Sequence, residues 1–142
     1  MAPVLTAVTD HVHFAQTDLV NWTLVTGDDG VILIDAGFPG SRPDVLASLG
    51  ELGFGVTDVR AILLTHAHID HFGTAIWFAQ THGTPVYCHA DEVGHATEAA
   101  DVGGEVGIDD RGDANRRQAD DERNDLPHAH ACAHGILPSC IS

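Results

Sequence analysis

Along the first third of the chain, apolar side chains gather in short runs broken by Gly, Asp and Pro. After that they recur every three or four residues. The first kind of pattern predicts strands, the second predicts helices. Pro3 to Thr9 alternates weakly and is expected to form a first, marginal strand. His11-Val12-His13-Phe14 reads as a strand with two imidazoles at i and i+2, on one face. Asn21 to Thr26 is β-branched and aromatic, which suits a pleated surface. Gly27-Asp28-Asp29-Gly30 follows as a hairpin turn, because Asp and Gly tolerate positive φ. Val31-Ile32-Leu33-Ile34 then returns as a fully apolar strand that ends in Asp35, and Ala36 to Gly40 reads as a loop.

From Ser41 the period changes. Ser41 is expected to cap a helix, with Asp44 favouring its first turn. Val45, Leu46, Leu49 and Leu52 form the apolar stripe, and Gly53 stops it. Ala61 to Leu64 predicts a short buried strand, Thr74 to Thr81 a second helix ended by His82-Gly83, and Pro85 to Cys88 another strand. Ala90 to Ala100 is expected to form a third helix. Beyond the marginal first segment, the order is strand, strand, strand, helix, strand, helix, strand, helix. That alternation predicts an α/β layered fold. The pattern fades near Glu98, so residues 1–98 are expected to form the ordered αβ unit. Residues 101–125 carry almost no large apolar side chain. Burial there cannot offset the ordering entropy, and 99–142 is expected to be a disordered or non-native acidic tail.

Between the strand ending at Leu64 and the helical pattern stands Thr65-His66-Ala67-His68-Ile69-Asp70-His71. Three imidazoles and a carboxylate fall within six residues. These are the ligand types shared by Zn²⁺, Fe and Mn. In open α/β sheets chemistry collects at the carboxyl ends of strands. Asp35 and this turn both lie at such ends, so two separate stretches point to one site.

Charge and cysteine content narrow the class. The net charge of −15 argues against a nucleic-acid surface and against an anionic membrane. The N-terminus lacks the positive and apolar regions of a signal peptide, and no stretch reaches transmembrane length. Cys88, Cys132 and Cys140 are an odd number without disulfide spacing, so the expectation is a cytoplasmic protein with reduced thiols.

The stretch from His66 to His71 has the form H-x-H-x-D-H. With Thr65, the upstream Ile32-Leu33-Ile34-Asp35-Ala36-Gly37 and the later Gly83-Thr84-Pro85-Val86, it resembles the metallo-β-lactamase superfamily. The resemblance covers about Val8 to Glu98. It implies the first half of an αβ/βα sandwich built from two similar halves. It implies that His66 and His68 ligate a first metal and Asp70 and His71 a second, two Zn²⁺ by default, with Fe or Mn as alternatives. Asp35 then orients the site from behind its ligands. The implied reaction is hydrolysis of a small ester, thioester or lactone by a metal-bound hydroxide, which Asp70 helps to orient.

The second half of that family should add a His, a bridging Asp and a last His, and no clear counterpart follows Glu98. The chain is therefore expected to be truncated or frame-shifted there. The alternative reading is a non-catalytic remnant that binds metal weakly or acts only with a partner chain. An uncovered sheet face predicts self-association. His128, His130, Cys132 and His134 form a His/Cys tract of the kind that binds metals, but nothing in its spacing ties it to the first half. Elsewhere the plainer assignments hold. His11 and His13 are rim histidines, His82 and His95 helix-end or surface residues, and His89 a candidate for the cleft wall. Cys88, Trp22, Trp77 and Phe78 are core residues.

Overall fold

The computed structural model describes residues 2–96 and 139–141. Seven strands lie side by side in chain order in one sheet. They are β1 (Val4–Ala7), β2 (Val12–Gln16), β3 (Asn21–Gly27), β4 (Gly30–Ile34), β5 (Val59–Leu63), β6 (Val86–His89) and β7 (Ser139–Ile141). β1 to β4 pair antiparallel, and β4 to β7 pair parallel. Helix α1 (Arg42–Glu51) carries the chain from β4 to β5, and α2 (Ile69–His82) from β5 to β6. Parallel neighbours need such crossovers, whereas the antiparallel ones are joined by short turns. The expected α/β class is the observed one.

Register explains which face is dry. Ala15 lies opposite Trp22, Leu24 opposite Leu33, Leu33 opposite Ile62, and Ile62 opposite Val86. All of these are buried, and with Cys88 they form the inner face. α1 sets Val45 and Leu49 into the same buried cluster, and α2 sets Phe72, Ala75, Ile76 and Phe78 there. The Trp22 indole N–H donates to Ser48 Oγ at 3.0 Å, and so ties β3 to α1 across the core. The neighbouring positions point to the other face. Ile32 is 37% exposed there, and Phe14, Val25, Ile34, Leu63 and Tyr87 are only half-buried.

Several local expectations change. The expected first strand, Pro3 to Thr9, is present as β1 but shorter, Val4–Ala7. β5 begins at Val59 and stops before Leu64. Ser41 precedes α1 but makes no side-chain cap to it. Its hydroxyl instead accepts from the Phe38 N–H at 3.2 Å, closing a 3₁₀ turn at Pro39–Ser41. Trp77 is half-buried, with the Arg42 guanidinium 5.1 Å above its ring.

The largest change concerns α2, which starts at Ile69 and not at Thr74. Gly73 looks like a helix breaker in the sequence. In the structure it is a contact glycine. A Cβ there would lie 2.2 Å from Pro39, so only glycine lets the helix pass the Phe38–Pro39 loop this closely. At Ala90–Glu92 the expected third helix opens as a 3₁₀ turn with helical residues 93–96 after it. Its remainder lies outside the described residues, as does the His128–His134 tract. Of the expected tail, the described part is strand β7, beside β6.

Candidate metal centre

β4 and β5 run parallel, with Ile34 opposite Leu63, so their carboxyl ends deliver the next residues side by side. Asp35 follows β4 with φ 62°, the sole described non-glycine residue at positive φ. Its N–H still donates to the Leu63 carbonyl at 2.9 Å. The left-handed conformation thus turns the chain out of the sheet, and the side chain faces the β5–α2 turn. There the Asp35 carboxylate is nearly buried, with both oxygens hydrogen-bonded. Oδ1 accepts the Thr65 backbone N–H at 2.9 Å. Oδ2 accepts the Thr65 hydroxyl at 2.7 Å and His71 Nδ1 at 2.9 Å.

These bonds fix the protons of two imidazoles. A carboxylate only accepts, so His71 Nδ1 donates to Asp35, and in the neutral ring this leaves Nε2 as the lone pair that faces the front. The Thr65 hydroxyl has given its one proton to Asp35. Its oxygen, 3.1 Å from His66 Nδ1, therefore accepts from that nitrogen, which leaves His66 Nε2 as the open lone pair. One buried carboxylate thereby sets the tautomer of both rings, directly for His71 and through Thr65 for His66.

The start of α2 positions the other donors. His68 is the residue before the helix, with extended backbone, and its carbonyl accepts from the His71 and Phe72 N–H groups. Asp70 sits in the first turn, where the helix dipole favours a carboxylate. Its Oδ2 is 3.3 Å from His71 Nε2. The His66 and His71 ring centres are 4.0 Å apart. One donor atom each from His66, Asp70 and His71 lies within 4.8 Å of the others. His68 is exposed and its ring centre lies 4.6 Å from that of His66, but it is not part of this group of three. Two oriented imidazoles and a carboxylate that converge so closely, with their second nitrogens already bonded, suit a divalent metal ion.

The remaining predicted residues fall elsewhere. His89 is exposed at the end of β6, and its Nδ1 accepts from the Asp91 N–H at 3.3 Å. His11 is exposed, whereas His13 is half-buried with a buried Nδ1 that has no hydrogen-bond partner among the described residues. Cys88, Trp22 and Phe78 are core residues. Glu92, which no sequence feature singles out, accepts the Ala67 N–H at 2.9 Å. That bond, burial and the adjacent His95 act on the Glu92 carboxyl together, and the bond prevails to hold it below the ordinary carboxylate range. The signal that could have found Glu92 is its place just after a parallel strand, at the same edge as Asp35 and His66.

The family model of the metallo-beta-lactamase superfamily matches residues 15–142. Over 71 residues the chain is 37% identical to the probable metallo-hydrolase YflN of Bacillus subtilis, covering 49% of this chain and 26% of that protein. Over 69 residues it is 35% identical to the exodeoxyribonuclease YycJ of Bacillus anthracis, covering 49% and 25%. Among solved structures it resembles a subclass B3 metallo-beta-lactamase of Bradyrhizobium japonicum, with TM-score 0.60 and 28% identity over 66% of this chain and 36% of that one. The chain thus spans about a quarter of the length of these curated relatives.

Proposed function

Because the chain belongs to the metallo-β-lactamase superfamily, we propose that it is a metal-dependent hydrolase acting on a small ester, thioester or lactone. The convergence of His66, Asp70 and His71 donor atoms within 4.8 Å carries this reading. His66 and His68 would hold a first metal and Asp70 and His71 a second, Zn²⁺ in the first instance. Bound metal would supply Lewis acidity and a water acidic enough to serve as nucleophile near neutral pH. The chain's own residues do the rest. Asp35 and Thr65 hold both imidazoles in the tautomer that presents Nε2. Asp70 orients the attacking water. Asp35, bonded to Thr65 and His71 and nearly buried, prevents rotation of the rings when the substrate arrives.

The substrate class is favoured by charge. At −15 the chain repels polyanions, which speaks for a small substrate over nucleic acid. We place it in the cytoplasm on its cysteine pattern. No described helix is long and apolar enough to cross a membrane.

A second reading is favoured by the donor count. Three converging residues, with His68 beside them, are fewer than two fully held metals require. On that reading the chain binds metal without turnover, or turns over only when joined by a partner chain. Elemental analysis with turnover assays separates the two. The expected result is two metals per chain and hydrolysis of a generic thioester or lactone, both lost in His66→Ala. Metal without turnover, or metal held only weakly, selects the second reading, and absence of tightly bound metal overturns the hydrolase reading for this chain. Cleavage of single-stranded DNA in place of the small substrates would overturn the substrate class alone.

A further inference from the structure

The turn that carries His66 and His68 is anchored from two sides. Asp35 holds one side through Thr65. The other side is held by a residue with no place in the reading above. β6 lies beside β5, with Ile62 opposite Val86 and Leu63 opposite Tyr87. At its carboxyl end the chain closes the 3₁₀ turn Ala90–Glu92, steadied by the bond from the Asp91 N–H to His89 Nδ1. This turn brings Glu92 back toward the β5–α2 connection. Its Oε2 accepts the N–H of Ala67 at 2.9 Å, across 25 residues of sequence. Ala67 is 3% exposed and stands between the two histidines. His95 Nδ1 lies 3.6 Å from the same oxygen and steadies the carboxylate from behind.

From this geometry we propose that Glu92 is a positioning residue of the metal centre. By holding the Ala67 peptide, it fixes the backbone from which the His66 and His68 side chains project. The role depends on reach and not on charge. A buried N–H left without its acceptor costs free energy, so loss of Glu92 lets the peptide turn toward water and moves both rings. The depressed carboxyl of Glu92 is consistent with a stable acceptor at working pH. The consequence for metal rests on the metal-site reading above, whereas the tether itself does not.

Three variants of the full chain test the role, each checked for fold by circular dichroism and thermal melting. Co²⁺ is the probe, followed by its visible absorption, and exchange of the Ala67 amide is measured in metal-free protein. Glu92→Ala is expected to lose protection at Ala67 and to bind Co²⁺ roughly 10- to 100-fold more weakly, with an altered spectrum. Glu92→Asp keeps the charge but is one methylene too short, and is expected to behave like Glu92→Ala. Glu92→Gln keeps an acceptor oxygen at the right length and is expected to regain most of the affinity and the spectrum. The proposal is overturned if Glu92→Asp matches the wild type while Glu92→Gln does not, since charge would then be the cause. It is equally overturned if Ala67 exchange is unchanged in Glu92→Ala or, should that variant not fold, in Glu92→Asp. If the wild type takes up no Co²⁺, the metal reading fails, and the exchange rates alone still decide the tether.

Discussion

β1 to β3 and β4 to β6 belong to one sheet but are built by different rules. The antiparallel strands return through local turns that close on themselves. Thr17, for example, donates its N–H to the Val20 carbonyl at 2.9 Å, and its hydroxyl to the same oxygen at 3.1 Å. Such turns bring sequence neighbours together and nothing else. The parallel strands must cross over through helices, and each crossover leaves from the same edge. That edge therefore collects Asp35 after β4, Thr65 to His71 after β5 and Glu92 after β6. The antiparallel region supplies core, chiefly Trp22, Leu24 and Ala15. It supplies no residue of the described site. The core runs through both regions, whereas the chemistry is confined to the parallel one.

Substitutions on either side of that division should report it. Trp22→Ala removes a side chain that is 1% exposed and takes away the donor to Ser48 Oγ, whose hydroxyl still donates to the Val45 carbonyl at 2.8 Å. It is expected to lose about 3–5 kcal/mol in urea unfolding, with metal affinity of the folded fraction unchanged. A large loss of affinity at that position would break the separation. Asp35→Ala should act chiefly on the site, with a smaller stability cost of about 1–3 kcal/mol for the donors it leaves unpaired. It frees the Thr65 hydroxyl and both ring tautomers, and metal affinity, read by competition with a chelator, is expected to fall roughly 10- to 100-fold.

The outer face gives a smaller effect that belongs to neither region. Self-association through its half-buried apolar row is the expected behaviour in sedimentation equilibrium. Ile32→Lys, at a position 37% exposed, should shift the distribution toward monomer at a cost to folding of about 0.5 kcal/mol or less. The same distribution for variant and wild type would remove this face from consideration. The smallest effect is that of pH. The Glu92 carboxyl is depressed in the folded chain, so its contribution is complete above the ordinary carboxylate range. It is lost as pH falls through the depressed value. Because the neutral carboxyl keeps an acceptor oxygen of the same reach, protection of the Ala67 amide should weaken only slightly across that titration, and a loss as large as in Glu92→Ala would contradict it.

Periodicity made the strands and α1 legible because each buries one clean face. It made the site legible because four ligand-type residues crowd one strand end. The start of α2 was not legible. Gly73 lowers local helix propensity, and its reason for being there is Pro39, more than thirty residues away in sequence. Tertiary contact overrode the local signal. Glu92 was hidden for the same reason, since its partner is a backbone N–H and a backbone group leaves no mark on composition. The roles of Thr65 and Asp35 in choosing tautomers were hidden too. The sequence shows that they are near the histidines, but only coordinates show which atom of each meets which ring nitrogen.

The φ of 62° at Asp35 carries one more consequence, and it concerns redesign. Glycine adopts that conformation with less steric cost, a difference of about 1 kcal/mol. A procedure that ranked substitutions by backbone strain alone at this strand end would be drawn to glycine. It would gain a more relaxed backbone and delete the one side chain on which both imidazoles depend. Thermostabilisation of this chain should therefore leave position 35 untouched and take its gains from the hairpins.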